Sequence, residues 1–162
     1  MSDMYVIHVA SGKEFCVCER LLKEGLIAYV PSQVSLIRRG GMWIRETHNI
    51  FPGYVFLCLN EMKSETYYRV KKINGVIRFL GRPPTALPKN ERERIEWLCN
   101  GGDKLVPSRI SVSDTGEIRV IDGVLKGNEH LVVRYNRRQK KVVLETSIGG
   151  KKHIIKLSVE EQ

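Results

Sequence analysis

Ile50-Phe51-Pro52-Gly53-Tyr54-Val55-Phe56-Leu57-Cys58-Leu59-Asn60 is an uncharged stretch of 11 residues, and its reading decides the fold. As a membrane span it is too short, since about 20 apolar residues are needed, and Pro52-Gly53 interrupts it. As a strand it is coherent: Gly53 to Leu59 is uncharged and aromatic, the pattern of a central strand buried on both faces. Pro52 removes a ladder donor and Gly53 can take positive φ, so the strand should begin with a kink. Beyond the kink, alternation sends Tyr54 and Phe56 to one face and Val55 and Leu57 to the other. One face can fill a core while the aromatic one forms a patch. The plainer alternative is that both faces are core, as is usual for strand aromatics. The proline where the strand begins favours a partly exposed surface fit for docking.

Working outward, Tyr5–Val9 reads as a short strand ending at Ser11-Gly12. Ser11 and Glu14 have capping-box spacing, and Phe15, Cys18, Leu21 and Leu22 recur at helical spacing until Gly25. Ala28–Arg39, Gly40-Gly41 and Met42–Asn49 make a hairpin with a basic tip. Ser64 can cap a helix running to about Lys72, Val76–Leu80 returns as a strand, Pro83-Pro84 breaks the chain, and Asn90–Leu98 looks like an exposed helix. This mixed order predicts an α+β fold for residues 1–100, an antiparallel sheet with helices segregated on its faces. Residues 101–116, rich in Gly, Ser and Pro, read as a flexible linker. In residues 117–162, short alternating strands at Glu117–Ile121, Leu131–Arg134, Val142–Thr146 and His153–Leu157 are separated by Asp122-Gly123, Asn136-Arg137 and Gly149-Gly150, the signature of a small β-barrel.

Composition narrows the function. The 162 residues carry a net charge of +9, which favours an acidic partner, nucleic acid first. Cys16, Cys18, Cys58 and Cys99 lie inside apolar patterns without framework spacing and read as reduced core thiols of a cytoplasmic protein. Met1-Ser2-Asp3-Met4 does not begin a secretory leader. No phosphate-binding glycine loop, GxSxG or HExxH occurs, and His8, His48, His130 and His153 are scattered. Cys16 and Cys18 would point ~200° apart on a helix and cannot share an ion. The expectation is a protein that is not an enzyme, with no cofactor, no metal and no membrane partner.

Phe51-Pro52-Gly53-Tyr54-Val55-Phe56, followed by Asn74-Gly75-Val76-Ile77-Arg78-Phe79-Leu80-Gly81, a Pro-containing stretch and a charged helix, resembles the N-terminal domain of NusG-type transcription elongation factors. Residues 118–157 resemble the KOW domain that follows it in that family. The resemblance implies an α/β sandwich linked to a five-stranded barrel, and a monomer that binds RNA polymerase. By position, Phe51, Pro52, Tyr54 and Phe56 match the hydrophobic patch that receives the polymerase clamp helices, with Tyr5 and Ile7 in the adjoining strand. Glu65-Thr66-Tyr67 falls where family members approach the gate loop on the other jaw. A module touching both jaws would hold the clamp shut and oppose pausing, a population shift rather than chemistry. Arg20, Lys23, Lys71 and Lys72 match positions near the non-template DNA strand; a solvated basic face is the alternative.

The KOW half departs from the family pattern at Val124-Leu125, where Pro-Phe is usual, and at His130, where a glycine is usual. It carries base instead: Lys126, Arg134, Arg137, Arg138, Lys140, Lys141, Lys151 and Lys152, with Tyr135, Asn136 and His153 among them. Basic hairpin tips with a stackable ring suit a structured RNA; a charged rim is the alternative. The chain is thus similar to the specialised NusG paralogues of the LoaP group. It is expected to promote processive antitermination at chosen operons, recruited by a leader RNA hairpin through the KOW domain. A second reading is a general coupling factor whose KOW domain binds Rho or a ribosomal protein. A third, a ribosome-associated RNA-binding protein, leaves the aromatic block without a purpose.

Overall fold

Eleven strands and three helices are built in chain order in the computed structural model, which describes residues 2–162. They are β1 (Asp3–Val9), α1 (Glu14–Lys23), β2 (Ile27–Tyr29), β3 (Ser32–Arg39), β4 (Met42–Asn49), β5 (Tyr54–Leu59), α2 (Ser64–Lys71), β6 (Val76–Phe79), α3 (Lys89–Cys99), β7 (Ser108–Val112), β8 (Ile118–Asp122), β9 (Val132–Asn136), β10 (Lys141–Ile148) and β11 (Lys151–Glu161). They form two units. One holds the chain up to Pro31 and Phe51–Gly102, the other Ser32–Ile50 and Asp103–Gln162. The fold is α+β. No helix among the described residues is long and apolar enough to cross a membrane.

In the first unit, β5 is the inner strand that its uncharged sequence predicts. The antiparallel sheet runs β2-β5-β1-β6, with Tyr5 opposite Leu57, Val6 opposite Phe56, Ile7 opposite Val55 and His8 opposite Tyr54. One face carries Tyr5, Ile7, Val9, Val55, Leu57 and Leu59 into a core closed by Val17 and Leu21 of α1, Val70 of α2 and Phe79 of β6. Met4, Val6 and Phe56 occupy the other face and are also buried, as are Ile95, Leu98 and Cys99 of α3. Burial, reinforced by Cys58 and Glu96, pushes the Cys99 thiol up to about 12. The buried side of α3 corrects the expectation of an exposed helix.

The helix starts also differ from the expected caps. Lys13 precedes α1 and Lys63 precedes α2, and neither makes a side-chain cap. The Glu14 carboxylate is 3% exposed. It accepts the Gly53 N–H at 2.9 Å across the sheet, and so ties α1 to the kink ahead of β5.

In the second unit, a curled five-stranded sheet runs β8-β7-β11-β10-β9. β7 and β11 are parallel, and the other pairs are antiparallel. Strand β7 lies inside the segment read as a linker. Its Ser and Pro surroundings hide a strand whose Ser108 and Ile110 face inward. The β3–β4 hairpin, read as part of the N-terminal domain, is a separate two-stranded sheet held to β11 by side chains. Gln33 donates from Nε2 to the Lys156 carbonyl at 2.7 Å, and its Oε1 accepts from the Ser158 N–H at 3.1 Å. The Leu36 N–H reaches Ser158 Oγ at 3.0 Å. Sequence periodicity cannot show such a contact, because polar residues at strand spacing look solvent-facing.

Gly123 is required by this packing. Its φ is +100°, and a Cβ there would lie 2.4 Å from Ser108 Oγ. Gly127 has φ +81° with open space around it. Gly123→Ala should therefore cost about 2–4 kcal/mol, backbone strain plus overpacking, and Gly127→Ala only about 1 kcal/mol of strain. Urea denaturation of both variants checks this; equal losses would show that the close approach to Ser108 does not matter.

Candidate functional site

The aromatic block after the kink forms a layered patch. Phe51 and Phe56 are buried, at 3% and 0% exposure, and meet edge-on with centroids 5.7 Å apart. Tyr54 lies half-buried beside Phe56 at 6.4 Å and packs against His8 at 4.7 Å. Pro52 is exposed. The surface is therefore Pro52, Tyr54 and His8 over a Phe51–Phe56 base. Tyr5 and Ile7 do not belong to it. Their register with Leu57 and Val55 puts them on the opposite face, in the core under α1 and α2. Burial raises the Tyr5 phenol, with Asp3 and Glu61 adding to the effect. His8, which the sequence reading did not use, replaces them; the clue is its pairing with Tyr54.

Glu65 and Thr66 stand in the first turn of α2, exposed and half-buried. Val70 buries α2 against the Ile7 face of the sheet, so these residues and Tyr54 belong to opposite faces. Beside them a groove of about 570 Å³ is lined by Lys63, Tyr67, Tyr68, Arg78 and Arg82 among others. Tyr67 stacks on Phe79 at 5.4 Å.

Of the four cations assigned to DNA, Arg20 and Lys72 line one groove of about 640 Å³ with Lys13 and Arg69, two residues that the sequence reading missed. Lys23 and Lys71 lie outside its lining. Lys23 pairs with Glu19 at 3.6 Å, and Lys71 donates to the Ile77 carbonyl at 2.9 Å. Arg69 hydrogen-bonds the Glu24 carboxylate at 2.7 Å and holds it below the usual range, helped by Arg20, which pairs with it at 3.4 Å, so part of the groove's positive charge is neutralised.

The C-terminal cations are also divided. Arg137 grips Glu161 through both carboxylate oxygens, and the Tyr135 hydroxyl donates to the same carboxylate at 2.9 Å. Burial and that carboxylate push Tyr135 up to about 12. It is a half-buried anchor, not a free ring. Lys126 donates to the Val120 carbonyl, and Lys152 pairs with Glu145 at 3.4 Å. Burial and Lys151 lower the His153 pKa, which favours neutral imidazole. Arg134 is exposed on β9.

The two basic turns lie at opposite ends of β10. Lys141 pairs with Asn136 at one end, and Ile148 with Lys151 at the other, roughly 25 Å apart at strand rise. Arg137, Arg138, Lys140 and Lys141 therefore do not share a patch with Lys151 and Lys152. Successive hairpins on one strand must alternate ends, and the sequence reading overlooked this. Leu125 is buried at 1% exposure, so the residue that stands where the resemblance led to an expected Phe is interior. Among the described residues, no group of three or more His, Cys, Asp or Glu could hold a metal ion.

A family model described as transcription termination factor nusG matches residues 2–96. Over 179 aligned residues the chain is 25% identical to the transcription termination/antitermination protein NusG of Rickettsia typhi, covering 99% of this chain and 89% of that protein. It is 26% identical over 154 residues to the protein of that name from Streptococcus pyogenes serotype M1, covering 86% and 84%. A solved structure described as the domain interaction in Thermotoga maritima NusG superposes with a TM-score of 0.59 at 18% identity, over 98% of this chain and 94% of that one. That likeness concerns the fold.

The Tyr135–Glu161–Arg137 cluster has a pH signature. A phenol raised above its unfolded value of about 10 contributes stability that is present below pH 10 and lost as the pH rises through about 12. Glu161→Gln removes the carboxylate's contribution to the shift, so Tyr135 should ionise at lower pH. Ultraviolet titration of the tyrosinates, with Tyr135→Phe to identify the transition, reads the shift directly. No movement would mean that burial alone sets it.

Proposed function

Because the chain belongs to the NusG family of transcription termination/antitermination factors, which are not enzymes, we propose that it docks on RNA polymerase and promotes processive, operon-specific antitermination. The observation that carries this reading is the layered aromatic patch. A half-exposed Tyr54 stands on a buried Phe51–Phe56 base, beside a kink that the Glu14 carboxylate pins at Gly53. A rigid aromatic anchor loses little entropy on binding, which suits a docking site. In this reading Tyr54, Pro52 and His8 receive the clamp helices, and Glu65 and Thr66 approach the gate loop. That they lie on opposite faces of one sheet fits a module bridging two jaws. Arg20 and Lys72, with Lys13, then form the groove toward non-template DNA.

The basic turn after β9, through Arg138, Lys140 and Lys141, supports recruitment by a leader RNA hairpin, in the manner of a LoaP-type paralogue. Phosphate contacts would make that binding strongly salt-dependent. A protein-coupling role for the KOW half is the second reading. It is favoured by edge strands β8 and β9, whose Ile118, Val120, Val132 and Val133 line an open cleft of about 620 Å³ that a partner strand could enter.

Tyr54→Ala in the full chain should weaken polymerase binding by roughly 30-fold, the typical cost of truncating an aromatic anchor, and leave the melting temperature nearly unchanged. Ile7→Ala, in the core, should instead lower stability by about 2–5 kcal/mol. Polymerase co-sedimentation and thermal melting separate the two. A folded Tyr54→Ala protein with wild-type affinity would overturn the docking assignment. Terminator read-through on templates carrying cognate or scrambled leaders tests operon choice; equal read-through would favour the coupling role.

A further inference from the structure

Trp43 is the one large aromatic of the β3–β4 hairpin, directly across the ladder from Arg38. The Arg38 guanidinium stands 5.8 Å from the indole centroid. The Lys140 ammonium, from the β9–β10 turn, stands 4.9 Å from it. Lys140 holds φ at +56°, a backbone cost that a glycine would avoid. Around the half-buried indole lies a groove of about 450 Å³ lined also by Leu36, Arg138, Gln139 and Lys141.

The charges here are sorted. Arg39 pairs with Glu46, Arg45 with Glu160 and Arg137 with Glu161. Among the described residues, Arg38, Arg138, Lys140 and Lys141 have no ion-pair partner. Four cations without an ion-pair partner crowd one indole, with only Lys140 also feeling a carboxylate, that of Glu161; they repel one another, and a polyanion relieves that repulsion. An apolar or acidic protein segment could offer either a flat apolar contact or negative charge; an unstacked nucleotide offers a π-face and a phosphate together. The hairpin is also held in place, by the Gln33 and Ser158 bonds to β11.

We propose that Trp43 is a stacking platform for an unstacked base in an RNA loop, with Arg38, Arg138, Lys140 and Lys141 receiving the flanking phosphates. The site is shared between the β3–β4 hairpin and the β9–β10 turn. The proposal rests on the RNA-recruitment reading and deepens it, replacing Tyr135 and His153 as the stacking residues and leaving Lys151 and Lys152 outside the site.

The test uses the full chain in a Trp97→Phe background, where Trp43 is the sole indole. The probes are an RNA stem with a six-nucleotide loop, the same stem as a blunt duplex, and the stem–loop in DNA. At low salt the RNA stem–loop should quench Trp43 fluorescence saturably, and the duplex should not. Trp43→Ala should weaken stem–loop binding by roughly tenfold or more with the salt slope unchanged, because stacking carries no charge. Trp43→Phe should restore most of the affinity. Arg138→Gln with Lys141→Gln should flatten the salt slope by roughly 1.5. If the parent protein binds the stem–loop but Trp43→Ala binds equally well, the platform is refuted and RNA recruitment stands. If the parent protein binds no RNA even at low salt, both fall. Quenching by the duplex alone, or preference for the DNA loop, overturns the assignment to an RNA loop. If Trp43→Ala misfolds, the quench and Trp43→Phe decide the matter.

Discussion

Gly53 is held from three sides. Its N–H donates to the buried Glu14 carboxylate, its carbonyl accepts from the Val9 N–H at 2.9 Å, and its φ of +86° is open to glycine and costly for other residues. One residue thereby joins the start of α1, the end of β1 and the approach to β5. A buried carboxylate is expensive to leave without donors, so the Glu14–Gly53 bond constrains where β5 begins. Strand alternation then distributes everything downstream. Val55, Leu57 and Leu59 go under α1 and α2, and Tyr54 and Phe56 go to the other face.

That parity is what the sequence could only half supply. The uncharged run, the Pro-Gly kink and the alternation within β5 are local, so the central strand and its two faces were legible. Which residues of β1 join which face was not. A one-residue slip in pairing exchanges the faces of a whole strand, and the pairing is a tertiary fact. Family resemblance placed Tyr5 and Ile7 beside the aromatic patch; the His8–Tyr54 register places them beneath α1 and α2. The same limit hid the polar face of β3. Gln33 and Ser35 look solvent-facing in the sequence, yet they meet β11 through hydrogen bonds to Lys156 and Ser158.

Charge was legible in amount and not in arrangement. The +9 surplus is evident from composition, but ion pairing decides where it is available. Glu161 neutralises Arg137, and Glu145 faces Lys152. Exposed pairs of this kind contribute little stability; their effect is to remove particular cations from the field offered to a partner. The turns at the two ends of β10 look equivalent in sequence and are not equivalent in three dimensions.

A regulator that works by contact needs its surfaces to be both exposed and stiff, and the fold meets the two demands by layering. At the polymerase-facing patch proposed here, a buried aromatic pair supports a half-exposed tyrosine, and the buried carboxylate fixes the kink beside it. At the indole, the satisfied Gln33 and Ser158 hydrogen bonds hold the hairpin while the cations beside it have no ion-pair partner among the described residues. Each bond contributes only about 1 kcal/mol net, but a partner then meets a surface already in place and binding loses less ordering entropy. The same logic explains why mutating the supporting layer and mutating the exposed layer should give different phenotypes. The former acts through stability and the latter through affinity.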